Sequence, residues 1–275
     1  MTIRSLYLEL TSKCNLRCPY CFNFSNEGPR QQQATEQLFT VIQQAHELLK
    51  IEELVLSGGE VMLHPDWKQV VEYGRSFDLT VSIITNGLAI TESVVSFLLE
   101  QQVQVCLSLG GTCEEEDAPL RGHYAWFRSV RGLELLSQRG LKPGLAYIIH
   151  RNNLGSAQRA VNLASAHQVA WLRFSLIRKL GRAEFYWDSI GLSLTEKLSF
   201  LQEYGQLKCP EELDIILAPD PELDRLTPLF VVSPTGTSNN LTEVCLRFDG
   251  SVDLEDHNWR YWDAFLQEQV GSAYS

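Results

Sequence analysis

The sequence predicts an α/β protein, a partial (β/α)6 barrel of the TIM-like kind followed by a small α+β extension. Three observations predict it: six short apolar runs recur at a steady pitch, segments of helical period separate them, and the pattern changes after about residue 180. Successive βα units build a parallel sheet with helices outside it, joined by right-handed crossovers. The boundaries that follow are a barrel over residues 1–183 and an extension over 184–275.

The runs are SLYLEL (5–10), ELVLS (53–57), LTVSIIT (79–85), VQVCLSL (103–109), GLAYII (144–149) and VAWLRFSL (169–176). Val, Ile, Leu and aromatic residues of this kind suit a pleated, buried surface. Between the first two, Leu38, Val41, Ile42, Ala45, Leu48 and Leu49 recur at helical spacing, and Phe127, Val130, Leu133 and Leu136 do so later. Each set puts apolar side chains on one helix face. Pro65 suits the first turn of a helix. Past residue 180 come a helix over about 195–206, the Pro- and Asp-rich APDPELDRLTP, the polar SPTGTSNN, and EVCLRFDGSVDLED, which alternates around Asp249 and Gly250 and predicts a hairpin. Trp259 to Val270 predicts a last amphipathic helix, with HNWRYWDAF as its packing seam.

The chain of 275 residues, 44% hydrophobic, is long enough for a well-buried core. A net charge of −11 with scattered Lys and Arg argues against nucleic acid as a partner, because counterion release needs a basic surface. No apolar run is long enough to cross a bilayer, and Met-Thr-Ile-Arg-Ser leads straight into the first strand, so no signal peptide is expected. The expected compartment is the cytoplasm, with no membrane partner. Seven cysteines in such a chain point to thiolate chemistry rather than a disulfide framework.

Three of them, Cys14, Cys18 and Cys21, fall within TSKCNLRCPYC directly after the first strand. Thiolates are soft ligands that suit zinc and iron–sulfur clusters. Three on one loop leave a metal position open, as a catalytic site requires. On spacing alone a zinc knuckle with a distant fourth ligand stays open as well. In LSGGEVMLHP, Gly58, Gly59 and Glu60 stand at the carboxyl end of the second strand, the end where ligands collect in such sheets. Paired glycines permit close backbone approach, and the carboxylate suits a cationic amine. Taken alone, that motif reads equally as an ordinary βα turn.

The cysteine triplet, with Tyr20 before its last member, followed by the strand-end Gly-Gly-Glu, resembles the radical S-adenosylmethionine (radical SAM) superfamily over residues 5–183. The resemblance implies one [4Fe–4S] cluster on Cys14, Cys18 and Cys21, whose fourth iron takes the amine and carboxylate of S-adenosyl-L-methionine. It also implies reductive cleavage of that cofactor to a 5′-deoxyadenosyl radical, which takes a hydrogen atom from the substrate. Cofactor contacts are implied for Tyr20, Gly58, Gly59, Glu60, Thr85, Asn86, Ser108 and Arg121. A surface ion pair is the alternative for Arg121, and a turn for Asn86-Gly87.

CLSLGGTCEEEDAPLRGHYAWF, HRNN and LIRKLGRAE further resemble the branch with a SPASM or twitch extension, many of whose members modify ribosomally made peptides. Two departures stand out. Ser108-Leu109-Gly110-Gly111 replaces the usual Ser-Leu-Asp-Gly, and the extension keeps only Cys209 and Cys245, with Glu255 where a second hairpin cysteine would follow. Even with Cys113 these are too few for another cubane, so the extension is expected to lack an auxiliary cluster. Cys209 and Cys245 are expected as small buried hydrophobes, with hydrogen-atom return to a substrate radical as the alternative.

The function implied is maturation of a ribosomally synthesised precursor peptide, by backbone splicing with tyramine excision to a β-amino acid, by epimerisation or by cross-linking. A single cluster favours the first two. The alternatives are the same chemistry on a small molecule such as an amino sugar or nucleoside and, from another class, a non-catalytic zinc or iron–sulfur module. Expected partners are the precursor peptide, an external electron donor and a separate peptide-recognition protein of the RRE type, since no such domain is expected before residue 5 or after residue 183.

Overall fold

The computed structural model describes residues 3–27, 32–226, 242–246, 252–254 and 257–259. Seven strands lie parallel in chain order within one sheet: β1 (Ile3–Thr11), β2 (Glu53–Gly58), β3 (Thr80–Thr85), β4 (Gln104–Leu109), β5 (Gly144–Ile149), β6 (Trp171–Leu176) and β7 (Asp214–Leu217). Six coincide with the apolar runs. The seventh, DIIL, is too short to show a period, and it carries the parallel sheet past residue 183. The helices are α1 (Thr35–Gln44), α2 (Trp67–Arg75), α3 (Glu92–Glu100), α4 (Glu114–Arg121), α5 (Ala125–Gln138), α6 (Ala157–Ala166), α7 (Ala183–Ile190), α8 (Leu194–Tyr204) and α9 (Pro221–Leu226).

The expected hairpin is present as β8 (Thr242–Leu246) antiparallel to β9 (Val252–Leu254). A third short strand, β10 (His257–Trp259), pairs with β9, so Trp259 ends a strand instead of opening a helix. The remainder of that expected helix lies outside the described residues, as do Asp249, Gly250 and Glu255. β8 joins the barrel sheet by lying parallel to β1, on the side away from β2.

Alternation along the strands divides the sheet into two faces. Leu6, Leu8 and Leu10 of β1, Leu54 and Leu56 of β2, and Leu172 and Phe174 of β6 are buried, and join Leu38, Ile42, Val70, Leu98, Leu133 and Leu136 of the helices in one core. Burying each such side chain contributes about 1.5–3 kcal/mol. On α5 the buried face is Val130, Leu133 and Leu136, while Phe127 is exposed, contrary to its expected place. The inner face of the sheet is polar. There Ser5 Oγ and Ser82 Oγ donate to the Glu53 carboxylate at 3.1 and 3.0 Å, and Tyr7 Oη donates to Ser57 Oγ at 2.8 Å. At the carboxyl ends the sheet curls far enough for the loops after β1 and β6 to touch: the Arg182 N–H donates to the Cys21 carbonyl at 2.9 Å.

Candidate active site at the carboxyl ends of the strands

After β1 the chain makes a loop from Ser12 to Glu27 that holds all three cysteines of the first motif. Asn26 takes a left-handed conformation (φ 69°), which asparagine tolerates better than most residues. Its Oδ1 accepts from the Cys14 N–H at 3.0 Å, and its Nδ2 donates to the carbonyls of Cys14 (2.6 Å) and Leu16 (3.0 Å). The Cys21 N–H donates to the Cys18 carbonyl at 3.1 Å. These bonds fix the backbone of the loop around its three thiols. Burial pushes the Cys14 thiol up to about 12, although the Leu16 N–H, 3.4 Å from the sulfur, works the other way. Burial also raises Cys18, against the opposing charge of Arg121, and raises the phenol of Tyr20, which is hydrogen-bonded to Cys18. Thiols in this condition keep their protons until a metal cation displaces them.

The second motif packs directly on the first. Gly58 has φ +126°, and a Cβ placed there would lie 2.5 Å from the Thr11 carbonyl oxygen; one on Gly59 would lie 2.3 Å from that of Lys13. The Gly59 N–H donates to the Thr11 carbonyl (2.7 Å) and the Glu60 N–H to that of Lys13 (2.8 Å). The glycines are therefore required by the start of the cysteine loop, which passes against them. Glu60 is buried, and its carboxylate accepts from Thr85 Oγ1 (2.7 Å), the Met62 N–H (3.3 Å) and the Asn86 N–H (2.8 Å). Burial raises its pKa, and the three hydrogen bonds resist that rise. Its side chain fastens the end of β3 to the end of β2.

From β3 the network returns to the cysteines. Asn86 Nδ2 donates to Asn15 Oδ1 at 2.6 Å and stands 3.9 Å from Cys14 Sγ. Arg121, at the end of α4, is 4% exposed, which excludes a surface ion pair. Its Nη2 donates to the Asn86 carbonyl (2.9 Å) and Ser129 Oγ (2.8 Å), and its Nη1 lies 3.3 Å from Asp117 Oδ1, which also accepts the Gly110 N–H at 2.9 Å. The ends of β1, β2, β3 and β4 are thus tied together, and Cys14, Cys18, Tyr20, Gly58, Gly59, Glu60, Thr85, Asn86 and Arg121 fall in one region. Ser108 stands beside it on the inner face of β4, in register with Ala146.

The donor set fits an iron–sulfur cluster. Among the described residues no three His, Cys, Asp or Glu side chains gather closely enough to hold one metal ion. Three thiols on one loop are soft donors of the kind an iron–sulfur cluster takes. The other cysteines lie elsewhere. Cys106 is buried on the inner face of β4, and Cys113 precedes α4. Cys209 is exposed, in correction of the buried hydrophobe expected; it precedes β7, at the opposite end of the strands from the cysteine loop, and its thiol donates to the Leu213 carbonyl at 3.1 Å. Cys245 is in β8, in register with Tyr7. A cavity of about 460 Å³ opens where the cysteine loop meets α4 and α7, lined by Arg17, Pro19, Arg121, Asn152 and Tyr186 among others.

Two residues of the site escaped sequence reading. Asn26 left only a turn-like composition, Asn26-Glu27-Gly28, as its signal. Arg173 interrupts an otherwise apolar run; it stands on the inner face of β6 in register with Ala146, its guanidinium is 5.9 Å from the Trp171 ring, and its Nε is buried without a hydrogen-bond partner.

A model of the Radical SAM superfamily matches residues 8–164, more than half of the chain. The mycofactocin maturase MftC of Mycolicibacterium smegmatis is 29% identical over 184 residues, which cover 66% of this chain and 46% of that protein. The chain thus spans about half the length of the curated relatives it matches. Among solved structures, Streptococcus suis SuiB bound to S-adenosylmethionine aligns with a TM-score of 0.71 at 14% identity, over 100% of this chain and 66% of SuiB. SuiB bound to precursor peptide SuiA gives 0.67 at 14% identity, over 91% and 59%. The native anSMEcpe structure with bound AdoMet gives 0.65 at 20% identity, over 90% and 73%. These structures speak for the fold, and the family model covers the cysteine loop and the strand ends around it. The chain belongs to the radical SAM superfamily, whose cofactors are a [4Fe–4S] cluster and S-adenosylmethionine.

Proposed function

We propose that the chain modifies a ribosomally synthesised precursor peptide, using a single [4Fe–4S] cluster held by Cys14, Cys18 and Cys21. The observation that carries this reading is the similarity to a maturase across 66% of the chain. That SuiB, of the same fold, has been solved with a precursor peptide bound is in keeping with it.

When bound, the cluster and cofactor supply one-electron reduction and hydrogen-atom abstraction. The residues of the chain bind, orient and exclude water. The Gly58–Glu60 segment receives the methionyl amine through backbone groups, since Thr85, Met62 and Asn86 already engage the Glu60 carboxylate. Arg121 and Ser108 would hold the carboxylate and ribose, with Thr85 and Asn86 at the edge of the pocket. Tyr20 packs against the core beside Cys18 and keeps water from that sulfur. The polar inner face, with Cys106, Ser108, Arg173 and Ser175, offers a peptide more polar partners than an apolar barrel would.

On this reading residues 1–183 form the radical-generating unit and 184–275 an extension without an auxiliary cluster, which favours redox-neutral splicing or epimerisation. An external electron donor and a separate recognition protein complete the system in the cytoplasm; no described helix is long and apolar enough to cross a membrane. Anaerobic reconstitution followed by reductant and S-adenosylmethionine tests the first half. The chain should take up about four irons and release 5′-deoxyadenosine, and Cys18→Ala should abolish both. Zinc uptake in place of iron would overturn it. Co-expression with a short peptide encoded beside its gene tests the second half through a change in peptide mass; turnover of an amino sugar or nucleoside with every such peptide unchanged would move the chain to the small-molecule class.

A further inference from the structure

The cysteine loop is gripped from the far side of the barrel. Arg182, at the start of α7, is 5% exposed although it belongs to a loop 155 to 164 residues away from its partners. Its guanidinium Nη1 donates to the Cys18 carbonyl at 2.7 Å, its Nη2 to the Ser25 carbonyl at 2.5 Å, and its Nε to the Glu27 carboxylate at 2.5 Å. Its own backbone N–H donates to the Cys21 carbonyl at 2.9 Å. Beside it Gly181 has φ +59°, and a Cβ there would lie 2.4 Å from Phe22 Cα and 2.7 Å from the Cys21 carbonyl oxygen. Two backbones therefore run in direct contact, and one side chain reaches across the loop.

The chemistry of the side chain matters. Guanidinium is a rigid planar fork that reaches three acceptors in fixed directions, while an ammonium is a point charge on a flexible stem. All four acceptors, the carbonyls of Cys18, Cys21 and Ser25 and the carboxylate of Glu27, belong to the loop that carries Cys18 and Cys21, and the guanidinium makes no hydrogen bond to its own helix. Cys14, at the other end, is held by Asn26 from within the loop. The backbone carbonyls of Cys18 and Cys21 are held from outside it.

We propose that Arg182 is the positioning residue for the Cys18–Cys21 half of the cluster loop, and that with Gly181 it clamps the loops after β1 and β6 into one unit around the cluster. This rests on the cluster site and is independent of the substrate. The clamp fixes the spacing of two thiolates before iron arrives, so its loss should be read in how tightly the cluster is held.

The test compares the reconstituted full chain with Arg182→Met and Arg182→Lys. Two quantities are read: the rate at which an iron chelator strips the cluster, and the electron paramagnetic resonance spectrum of the reduced cluster at matched iron content. Arg182→Met should lose iron about tenfold faster or more, as expected for removing charge-assisted hydrogen bonds, and should show an altered line shape. Arg182→Lys should recover only part of both, because the charge returns without the fork. Parental stripping rate and line shape in Arg182→Met overturn the proposal, and so does full recovery by Arg182→Lys. Should Arg182→Met not fold, Gly181→Ala, which disturbs the contact and leaves the guanidinium in place, is expected to strip faster; a parental rate there is equally fatal. Iron uptake by the parent chain reports on the cluster site itself, and the difference between parent and variant reports on the clamp.

Discussion

Asn26 and Cys14 are hydrogen-bonded to each other in both directions. The Cys14 N–H donates to Asn26 Oδ1 at 3.0 Å, and Asn26 Nδ2 donates back to the Cys14 carbonyl at 2.6 Å. The reciprocal pair closes the cysteine loop on itself at its first ligand, and the left-handed backbone of Asn26 makes the closure possible. Asn26→Ala removes three hydrogen bonds and places a Cβ residue at positive φ without compensation, so the apo protein should lose on the order of 3 kcal/mol. Urea unfolding measures it. Asn26→Gly relieves the backbone but not the bonds, and should fall between the two.

Gly59→Ala should disturb the first cysteine by steric contact alone. The new Cβ meets backbone, the Lys13 carbonyl at 2.3 Å, which cannot swing away as a side chain can. The fold should survive, as judged by far-ultraviolet circular dichroism, while iron per chain after reconstitution falls to less than about half, loop displacement being the cheapest relief. Gly140→Ala is the control: φ is +81° but no atom lies within 4 Å, so it should cost about 1 kcal/mol and leave iron content unchanged.

Glu60→Gln should uncouple the ends of β2 and β3. The carboxylate accepts from donors on both oxygens, so an amide nitrogen must face either Thr85 Oγ1 or the Asn86 N–H. One buried donor is then unmatched, at a cost of about 1–3 kcal/mol. Because Thr85 shares that network, the effects of Glu60→Gln and Thr85→Val should be non-additive by more than about 0.5 kcal/mol in a double-mutant cycle. Strict additivity in urea would show that the two act separately.

The apo protein should lose stability between about pH 9 and pH 11 through Cys106. Burial pushes this thiol up to about 11 from its ordinary 9.0, with the nearby charge of Arg173 opposing the rise. The sign follows from which state binds the proton more tightly. Folded Cys106 keeps its proton above pH 9 while the unfolded chain releases it, so the contribution is full below pH 9 and gone above pH 11. The loss is on the order of 2 kcal/mol. A plot of melting temperature against pH for apo Cys106→Ala should be flatter across this window than that of the parent; parallel curves would remove Cys106 as the cause.

What the sequence made legible was whatever repeats or clusters locally. Six strands announced themselves because buried parallel strands are continuous apolar runs, while β7 hid because four residues, DIIL, carry too little pattern. The cysteine triplet and Gly58-Gly59-Glu60 were visible as spacing, yet the reason for the glycines was not, since it lies in contact with Thr11 and Lys13 more than 40 residues earlier. Arg121 could be located but its partners could not: Asn86 and Ser129 reach it only after β3, α4 and α5 have packed. Asn26 and Arg182 act through backbone carbonyls, which have no residue identity to read. Trp259 was read as helical from the amphipathic stretch that follows it, and pairing with Val252 made it a strand.

The placement of β8 beside β1 has a consequence for how the chain is born. Leu8 is the register partner of Leu246, some 238 residues later, so the outer hydrogen-bonding edge of the first strand waits for nearly the whole protein to be made. At about 5–20 residues per second, that wait is roughly 10 to 50 seconds. Throughout it an edge that invites pairing with other strands stands open, and the residues next to it lead directly into the three thiols. Nascent chains that stall before residue 242 should therefore depend on chaperones more than completed ones do.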